Sequence, residues 1–505
     1  MEYIITIDVG TMSMRAIVYD IEGSSLFTSS YEYHAIFLPE SQVEQDPYDW
    51  KKALEFTLGE TAKFVQSKGI KISAISVTSQ RASVIPVDNE GTPLYNAVTW
   101  QDKRSVGITE QLLEEISMNA IYRRTGLRAN PYFSLPKMMW FKQKAPEIYK
   151  KAYKLIGVQD YVIYLLTGEF KTDWSQAART MLMDIKTFQW DKEILNISGI
   201  DENLLCELCP TGSIAGGLQD KLAKKVGLKE GIPVIMAGGD QQNAALALNI
   251  LSPGMAQANT GTGSFVIAYS DKPVFDRKCR VLCSAAAIPG KWIVEAGIFN
   301  TGAIYRWFRN QFYSGEEANY TYMNEEAEAS PLGANGVMMI PHFEGSAAPF
   351  WNPYAKGLFF NLSLGTKRGD MVRAIFEGIA MEIADNFSLI ETVSGEINTI
   401  SVAGGMTKAD LFNQIQSDVF YKKVVRYQSS EASSMGAAMG ATVTLGIYNT
   451  YEEAFAHIVG KEDKIYEPNA ENHIKYDKLR LRKHALYNAL NQRRVYEKFV
   501  KNINN

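Results

Sequence analysis

The chain opens on an apolar run, IITIDV, that ends in an acid, and a second apolar run, RAIVYD, follows after a short polar stretch. Apolar runs rich in Ile and Val, separated by GTMSM and closed by the turn residues of DIEG, predict a hairpin of two strands, 3–8 and 15–20. A similar pattern returns roughly 250 residues later in GMAQANTGTGSFVIAYSDKP, where NTGTGS joins an apolar approach to a strand over 265–269. Two such hairpins imply a duplication, with one copy in each of two domains. Between them the pattern predicts strands over 75–79 and 84–87 and a helical stretch around NPYFSLPKMMWFKQKAPEIYKKA. Beyond them, the apolar residues of GDMVRAIFEGIAMEIADNFSLIE recur at helical spacing. Strands and helices alternate in both halves, which predicts an α/β fold. The boundary falls near AALALNILSPG, giving domains 1–247 and 248–505.

Size agrees with that division, because 505 residues exceed what one hydrophobic core usually serves. A cleft between the domains is then available for a ligand. Hydrophobic residues make up 46% and charged residues 21%, which is ordinary globular usage. A net charge of −4 over this length provides no basic stripe for nucleic acid, so a small molecule is the expected partner. The basic tail carries Leu479, Arg482 and Leu486 at amphipathic spacing and reads as a solvated helix face. No apolar run approaches the ~18 residues needed to span a bilayer, and the first strand starts without a charged leader, so the expected location is the cytoplasm. The oligomeric state is open, a homodimer being the assembly considered. Cys206, Cys209, Cys279 and Cys283 are expected to be structural, reduced thiols, since no His accompanies either pair.

The candidate chemistry lies at the hairpins. Backbone donors in a glycine-bearing turn, with Thr11, Ser13 and Arg15, suit phosphate oxygens, and Asp8 at the strand end suits Mg²⁺. NTGTGS repeats the hydroxyls and glycines without the acid, so one loop from each domain could grip opposite ends of a triphosphate. Gly290-Lys291 and Gly460-Lys461 are followed by Trp and Glu, which excludes a Walker A loop, and no G-x-S-x-G elbow is present. Five histidines, none in a triad-like setting, argue against nucleophilic hydrolysis. In IPVIMAGGDQQNAALA a strand ends in two glycines and Asp240 emerges at a helix start. The helix dipole there favours an ionised carboxylate, which could cap the helix or accept a proton from an attacking hydroxyl.

Taken in order, DVGTMSMR, TSQRASV, TWQDKR, PYFSLPK, DWSQAART, GGDQQNA, NTGTGSF and VAGGMTKADLFNQIQSD resemble the FGGY family of carbohydrate kinases over nearly the whole chain. The resemblance implies two domains of actin-like, ribonuclease-H-like fold, with ATP and Mg²⁺ in the cleft and phosphoryl transfer to a sugar or polyol. It implies Asp8 for the metal, and Thr11, Ser13, Arg15, Gly261, Thr262 and Gly263 for the phosphates. Gly302, Gly404 and Gly405 would lie along the nucleotide, and Asp240 would be the catalytic base. On the acceptor side Arg81, Trp100, Tyr132, Asp240, Gln241 and Phe265 match positions of the glycerol-kinase pocket. Ala82 departs from it, standing where that subfamily has a Glu that binds glycerol. Losing a charge-assisted hydrogen bond should weaken glycerol by about ten- to a hundredfold and leave room for a larger acceptor, a ketose or pentitol among them. Glycerol itself is the alternative acceptor. An actin-like or chaperone-like ATPase is the more distant alternative, and it leaves TSQRAS, TWQDKR and PYFS without a role.

Overall fold

The computed structural model describes residues 2–427, 431–460 and 462–501. Thirteen strands form the two main sheets. In chain order they are β1 (Tyr3–Val9), β2 (Ser13–Asp20), β3 (Ser25–Glu32), β4 (Ile72–Ser79), β5 (Ile214–Gly217), β6 (Pro233–Gly239) and β7 (Met255–Thr260). They continue as β8 (Ser264–Ser270), β9 (Leu282–Ala285), β10 (Trp292–Ile298), β11 (Thr399–Ala403), β12 (Lys423–Tyr427) and β13 (Glu462–Tyr466). The helices that matter to the site are α1 (Pro47–Lys68), α2 (Ser134–Lys144), α3 (Asp240–Ala247), α4 (Gly302–Phe312), α5 (Arg368–Ser394), α6 (Ala432–Thr444) and α7 (Ala470–Gln492).

The first sheet runs β5-β6-β4-β1-β2-β3 and the second β9-β10-β8-β7-β11-β12-β13. In the first, β1 pairs antiparallel with β2 and parallel with β4; in the second, β7 pairs antiparallel with β8 and parallel with β11. Each sheet therefore carries a hairpin at its centre and parallel strands to one side, so the two hairpins read from the sequence occupy equivalent places in the two sheets. The molecule is a two-domain α/β protein with a mixed sheet in each domain.

Burial explains the apolar runs. Central β1 is covered on both faces: Ile5, Ile7 and Val9 join Trp50, Leu54 and Leu58 of α1, while Ile4 joins Ala441 of α6. A strand buried on both sides loses its polar alternation, which is why IITIDV reads as a block. In the second domain α5 lies against the sheet, and Ile375, Phe376, Ile379 and Ile383 share a core with Val266, Val294 and Ala296. Helix α6, from the second half of the chain, packs on the first sheet, where Ser76 donates to the Ala437 carbonyl at 2.8 Å. The helical stretch expected around NPYFSLPK begins only at Ser134, because Asn130 to Phe133 form a turn in which the Asn130 side chain accepts from the Tyr132 amide. The tail is helical, as its spacing indicated.

Candidate active site

The turn between β1 and β2 is tight and braced. The Gly10 amide donates to the Ser13 carbonyl at 2.9 Å, closing the loop that carries Thr11 at its tip and Ser13 at the start of β2. Tyr33 donates its hydroxyl to the Gly10 carbonyl and Gln45 its amide to the Thr11 carbonyl, at 2.7 and 2.6 Å. Asp8 and Arg15 are direct partners across the hairpin, so their side chains leave the same face of the sheet. That face meets the start of α6. Arg15 pairs there with Glu431, and Ser434, in the first turn of α6, is buried beside them. Burial pushes the Asp8 carboxyl up to about 7, with the negative charges of Asp240 and Glu431 adding to it and Arg15 opposing.

Asp240 approaches the same place from α3. Gly239 is the N-cap and Asp240 the first helical residue, so the carboxylate is free of the capping role its position would allow. It accepts from the Gln241 amide at 2.7 Å and meets the Arg81 Nε at 3.4 Å. Burial raises its pKa above the usual range, while the Arg81 guanidinium and the Gln241 bonds pull it back. Ser433 donates to the Asp240 carbonyl at 3.1 Å and brings the starts of α3 and α6 together. Two helix N-termini and two arginines, Arg15 and Arg81, thus lie about the carboxylates of Asp8 and Asp240. Among the described residues no group of three or more His, Cys, Asp or Glu side chains forms a ready metal cage. Mg²⁺ needs only one or two carboxylates when phosphates and water complete its shell. Asp8, whose carboxyl is raised first by burial and then by its acidic neighbours, fits that demand, because a dication beside it favours the ionised form that both disfavour.

Arg81 is buried and leads to the acceptor side. Its guanidinium donates to Gln242 at 3.0 Å and lies 3.4 Å from Glu295 on β10. Glu295 also binds Arg179 at 2.8 Å, so one carboxylate from the second domain answers two arginines of the first. Arg179 stacks over Tyr132 at 5.7 Å, and Tyr132 lies 5.6 Å from Trp100, ring centre to ring centre. Phe265 pairs with Gly297 on β10, two residues from Glu295, and so shares its face of the sheet; 40% of Phe265 is exposed. Among the described residues no ring contact joins it to Trp100 or Tyr132. The Gln241 Oε1 is buried there without a hydrogen-bond partner. Ala82 sits in the left-handed region at φ 65°, an uncommon conformation for a residue with a side chain.

The second hairpin builds a separate cradle. The Gly261 amide donates to the Gly263 carbonyl at 2.9 Å, and the Gly302 amide, opening α4, donates to the Gly261 carbonyl at 3.0 Å. A Cβ on Gly302 would stand 2.3 Å from the Gly261 oxygen, and one on Gly404 2.3 Å from the Thr260 oxygen, so both positions exclude side chains. Gly261, Thr262, Gly302 and Gly405 border a cavity of about 260 Å³ whose far wall is Tyr305, Arg306, Tyr320, Asn324 and Lys408. Among the described residues no hydrogen bond or ion pair joins this hairpin to the first.

Arg179, Glu295 and Glu431 were not singled out in the sequence. The signal for Glu295 was an acid alone inside the apolar run WIVEAGIF, a residue that has to be paired if buried; Arg179 lay inside DWSQAART without a stated role. Neither reveals its partner, because the partner comes from the other domain.

The chain matches the FGGY family of carbohydrate kinases at its N-terminal domain over residues 3–247 and at its C-terminal domain over 256–445. It is 31% identical over 492 residues to a gluconokinase of Bacillus licheniformis, covering 94% of each chain. It is 35% identical over 477 residues to a glycerol kinase of Thermococcus gammatolerans, covering 92% of this chain and 93% of the other. A crystal structure of ligand-bound xylulose kinase from Lactobacillus acidophilus superposes with a TM-score of 0.92 at 27% identity, over 99% of this chain and all of that one. The two-domain α/β architecture is thus the actin-like ATPase fold of these kinases. Among the described residues no helix is long and apolar enough to cross a membrane. With matched domains, fold and length, the chain belongs to the FGGY family of carbohydrate kinases, phosphotransferases that act on an alcohol group of a sugar or polyol.

Proposed function

We propose that this kinase transfers the γ-phosphoryl group of ATP to a hydroxyl of a sugar or polyol larger than glycerol, with Asp240 taking the hydroxyl proton. The Arg81–Asp240 contact at the start of α3 carries the reading: a half-buried carboxyl with a raised pKa, held in place by a buried guanidinium, at a helix N-terminus. Mg²⁺-ATP, when bound, supplies the phosphoryl group and spreads its charge. Asp8 holds the metal, while Thr11, Ser13 and Arg15 bind phosphate from one lobe. Gly261, Thr262 and Gly263 bind it from the other, and Gly302, Gly404 and Gly405 admit the rest of the nucleotide. Arg81, Trp100, Tyr132, Gln241 and Phe265 orient the acceptor. Residues 1–247 form the acceptor lobe and 248–505 the nucleotide lobe, and closure between them excludes water.

Ala82 supports an acceptor larger than glycerol, since a methyl group replaces the carboxylate of the glycerol-kinase pattern. A small void of about 30 Å³ also lies beside it and Ser83, but none of the acceptor residues named above lines it, so it adds no acceptor space. One observation favours a sugar acid within this class. The Arg179 Nε is buried without a partner, and its guanidinium shares the Glu295 carboxylate with Arg81. An aldonate carboxylate would complete that set of donors.

ADP release with glycerol, D-xylulose and D-gluconate tests the reading. Turnover is expected to be faster with a larger acceptor than with glycerol, and the reverse order would remove the size argument. Asp240→Asn is expected to keep ATP affinity while lowering acceptor-dependent turnover by roughly 10²- to 10⁴-fold, the usual scale for a general base. Near-normal turnover would take Asp240 out of the role.

A further inference from the structure

Lys137 is a lysine in the wrong place by two criteria. Its side chain is fully buried, and it lies in the first turn of α2, where the helix dipole disfavours a cation. A buried ammonium is costly unless its protons are bonded, and a methionine of similar length would pack there without that cost. The bonds it makes explain its presence. Nζ donates to three successive carbonyls, those of Pro131, Tyr132 and Phe133, at 2.8, 2.6 and 2.9 Å. Three acceptors match the three protons of an ammonium, whereas a neutral amine leaves one carbonyl unserved.

The clamped turn presents Tyr132. Its ring lies between Trp100 and the Arg179 guanidinium, and the Leu135 amide donates to the Thr180 carbonyl at 2.9 Å, tying the start of α2 to the segment that carries Arg179. The charged groups facing Lys137 come from the TWQDKR segment. Asp102 favours its protonated form and Arg104 opposes it, and both are fixed, Arg104 bonding Asp102 at 2.9 Å and Glu44 at 2.7 Å. Among the described residues no carboxylate is bonded to Lys137, and the hydrogen bonds that favour its protonated form are those to the three carbonyls. Burial brings its pKa down to about 7.

We infer that Lys137 is a positioning residue for the acceptor: its ammonium fixes the 131–133 turn and thereby sets Tyr132 against Trp100 and Arg179, so that losing the proton or the side chain weakens acceptor binding and spares the nucleotide. The inference rests on the reading that Trp100, Tyr132 and Arg179 border the acceptor.

Hydrogen exchange across residues 130–135, corrected for intrinsic rates and followed from pH 6 to pH 9, tests the clamp without requiring turnover. The wild-type turn is expected to lose about ten- to a hundredfold of its protection as pH rises, the scale of one hydrogen bond to a charged group. In Lys137→Met that protection should be low at every pH. In parallel, KM for D-gluconate or D-xylulose should rise with pH in the wild type by a similar factor. In Lys137→Met it should be high and independent of pH, with KM for ATP and kcat changed less than about twofold. Protection in the wild type that is flat with pH overturns the inference, as does a Lys137→Met variant whose KM rises equally for ATP and acceptor. Should the variant not fold, the wild-type exchange series decides alone. Absence of turnover with every acceptor would count against the proposed function, while the exchange result would still decide the clamp.

Discussion

Asp160 has one carboxylate oxygen served and one stranded: Oδ2 accepts from the Gly157 amide at 2.7 Å, and Oδ1 is buried with no hydrogen-bond partner. It borders the void beside Ala82, which has room for a water. Burial raises its pKa from 3.8 to about 7, with the Asp173 charge adding to it and the Gly157 bond opposing. Between those values the folded protein holds a proton that the unfolded chain has released. Stability from this group therefore falls as pH rises through that window, and the penalty persists above it. Asp160→Asn removes the charge, so its stability relative to the wild type should increase between pH 5 and pH 8. Urea titrations at the two pH values check this, and a difference independent of pH would contradict it. The same kind of accounting separates what could be read from single residues. Asp8, Arg15, Arg81 and Asp240 stand beside glycines and turns that advertise them. Lys137 and Glu295 look like ordinary charges, and only burial shows that each must satisfy its neighbours.

Helices α3 and α6 meet through their backbones. Gly436 of α6 lies so close to α3 that a Cβ would stand 1.9 Å from the Asn243 carbonyl oxygen, a contact no side-chain rotation can relieve. The Asn243 amide donates to Thr78 on β4 and to the carbonyls of Ala237 and Gly239, which fixes α3 on the first sheet. Gly436→Ala must therefore push α6 away or move α3, and α3 begins with Asp240. A loss of about 1–3 kcal/mol is expected for such overpacking, together with reduced turnover. Denaturant unfolding and acceptor-dependent ADP release measure both, and an unaffected variant would show that the two helices slide freely. At this level the long apolar-rich run of α5 and the apolar blocks of the hairpin strands were legible, since burial on nearly every side sets their residue types. The position of α6 on the sheet of the other domain was not, because ASSMGAAMGATVT shows small residues and no strong stripe.

The domains are joined by more than the cleft contacts. Thr444 donates to the Gly212 carbonyl and Tyr448 to the Ile21 carbonyl, both at 2.8 Å. On the acceptor side Tyr122 donates to the Val281 carbonyl and Trp292 to the Ile185 carbonyl, both at 2.7 Å. The Glu295 pairs with Arg81 and Arg179 lie within the same interface. Removing one lobe would strand buried guanidiniums and open the α3–α6 packing, so the lobes should unfold together. Scanning calorimetry without ligands is expected to show one endotherm whose calorimetric and van't Hoff enthalpies agree. Two resolved transitions would mean that the interface adds little to either domain.

The amino-acid order alone determined the local matters: two glycine-bearing hairpins, a carboxylate following a strand and two glycines, an α/β alternation and a family resemblance spanning the chain. These are legible because turn conformations and buried strands constrain residue type within a few positions. Tertiary structure decided the pairings across long separations: Arg15 with Glu431, Arg81 and Arg179 with Glu295, and Lys137 with the turn that carries Tyr132. A charge in a sequence has no marked partner. It acquires one only when folding removes water and leaves a single neighbour able to satisfy it.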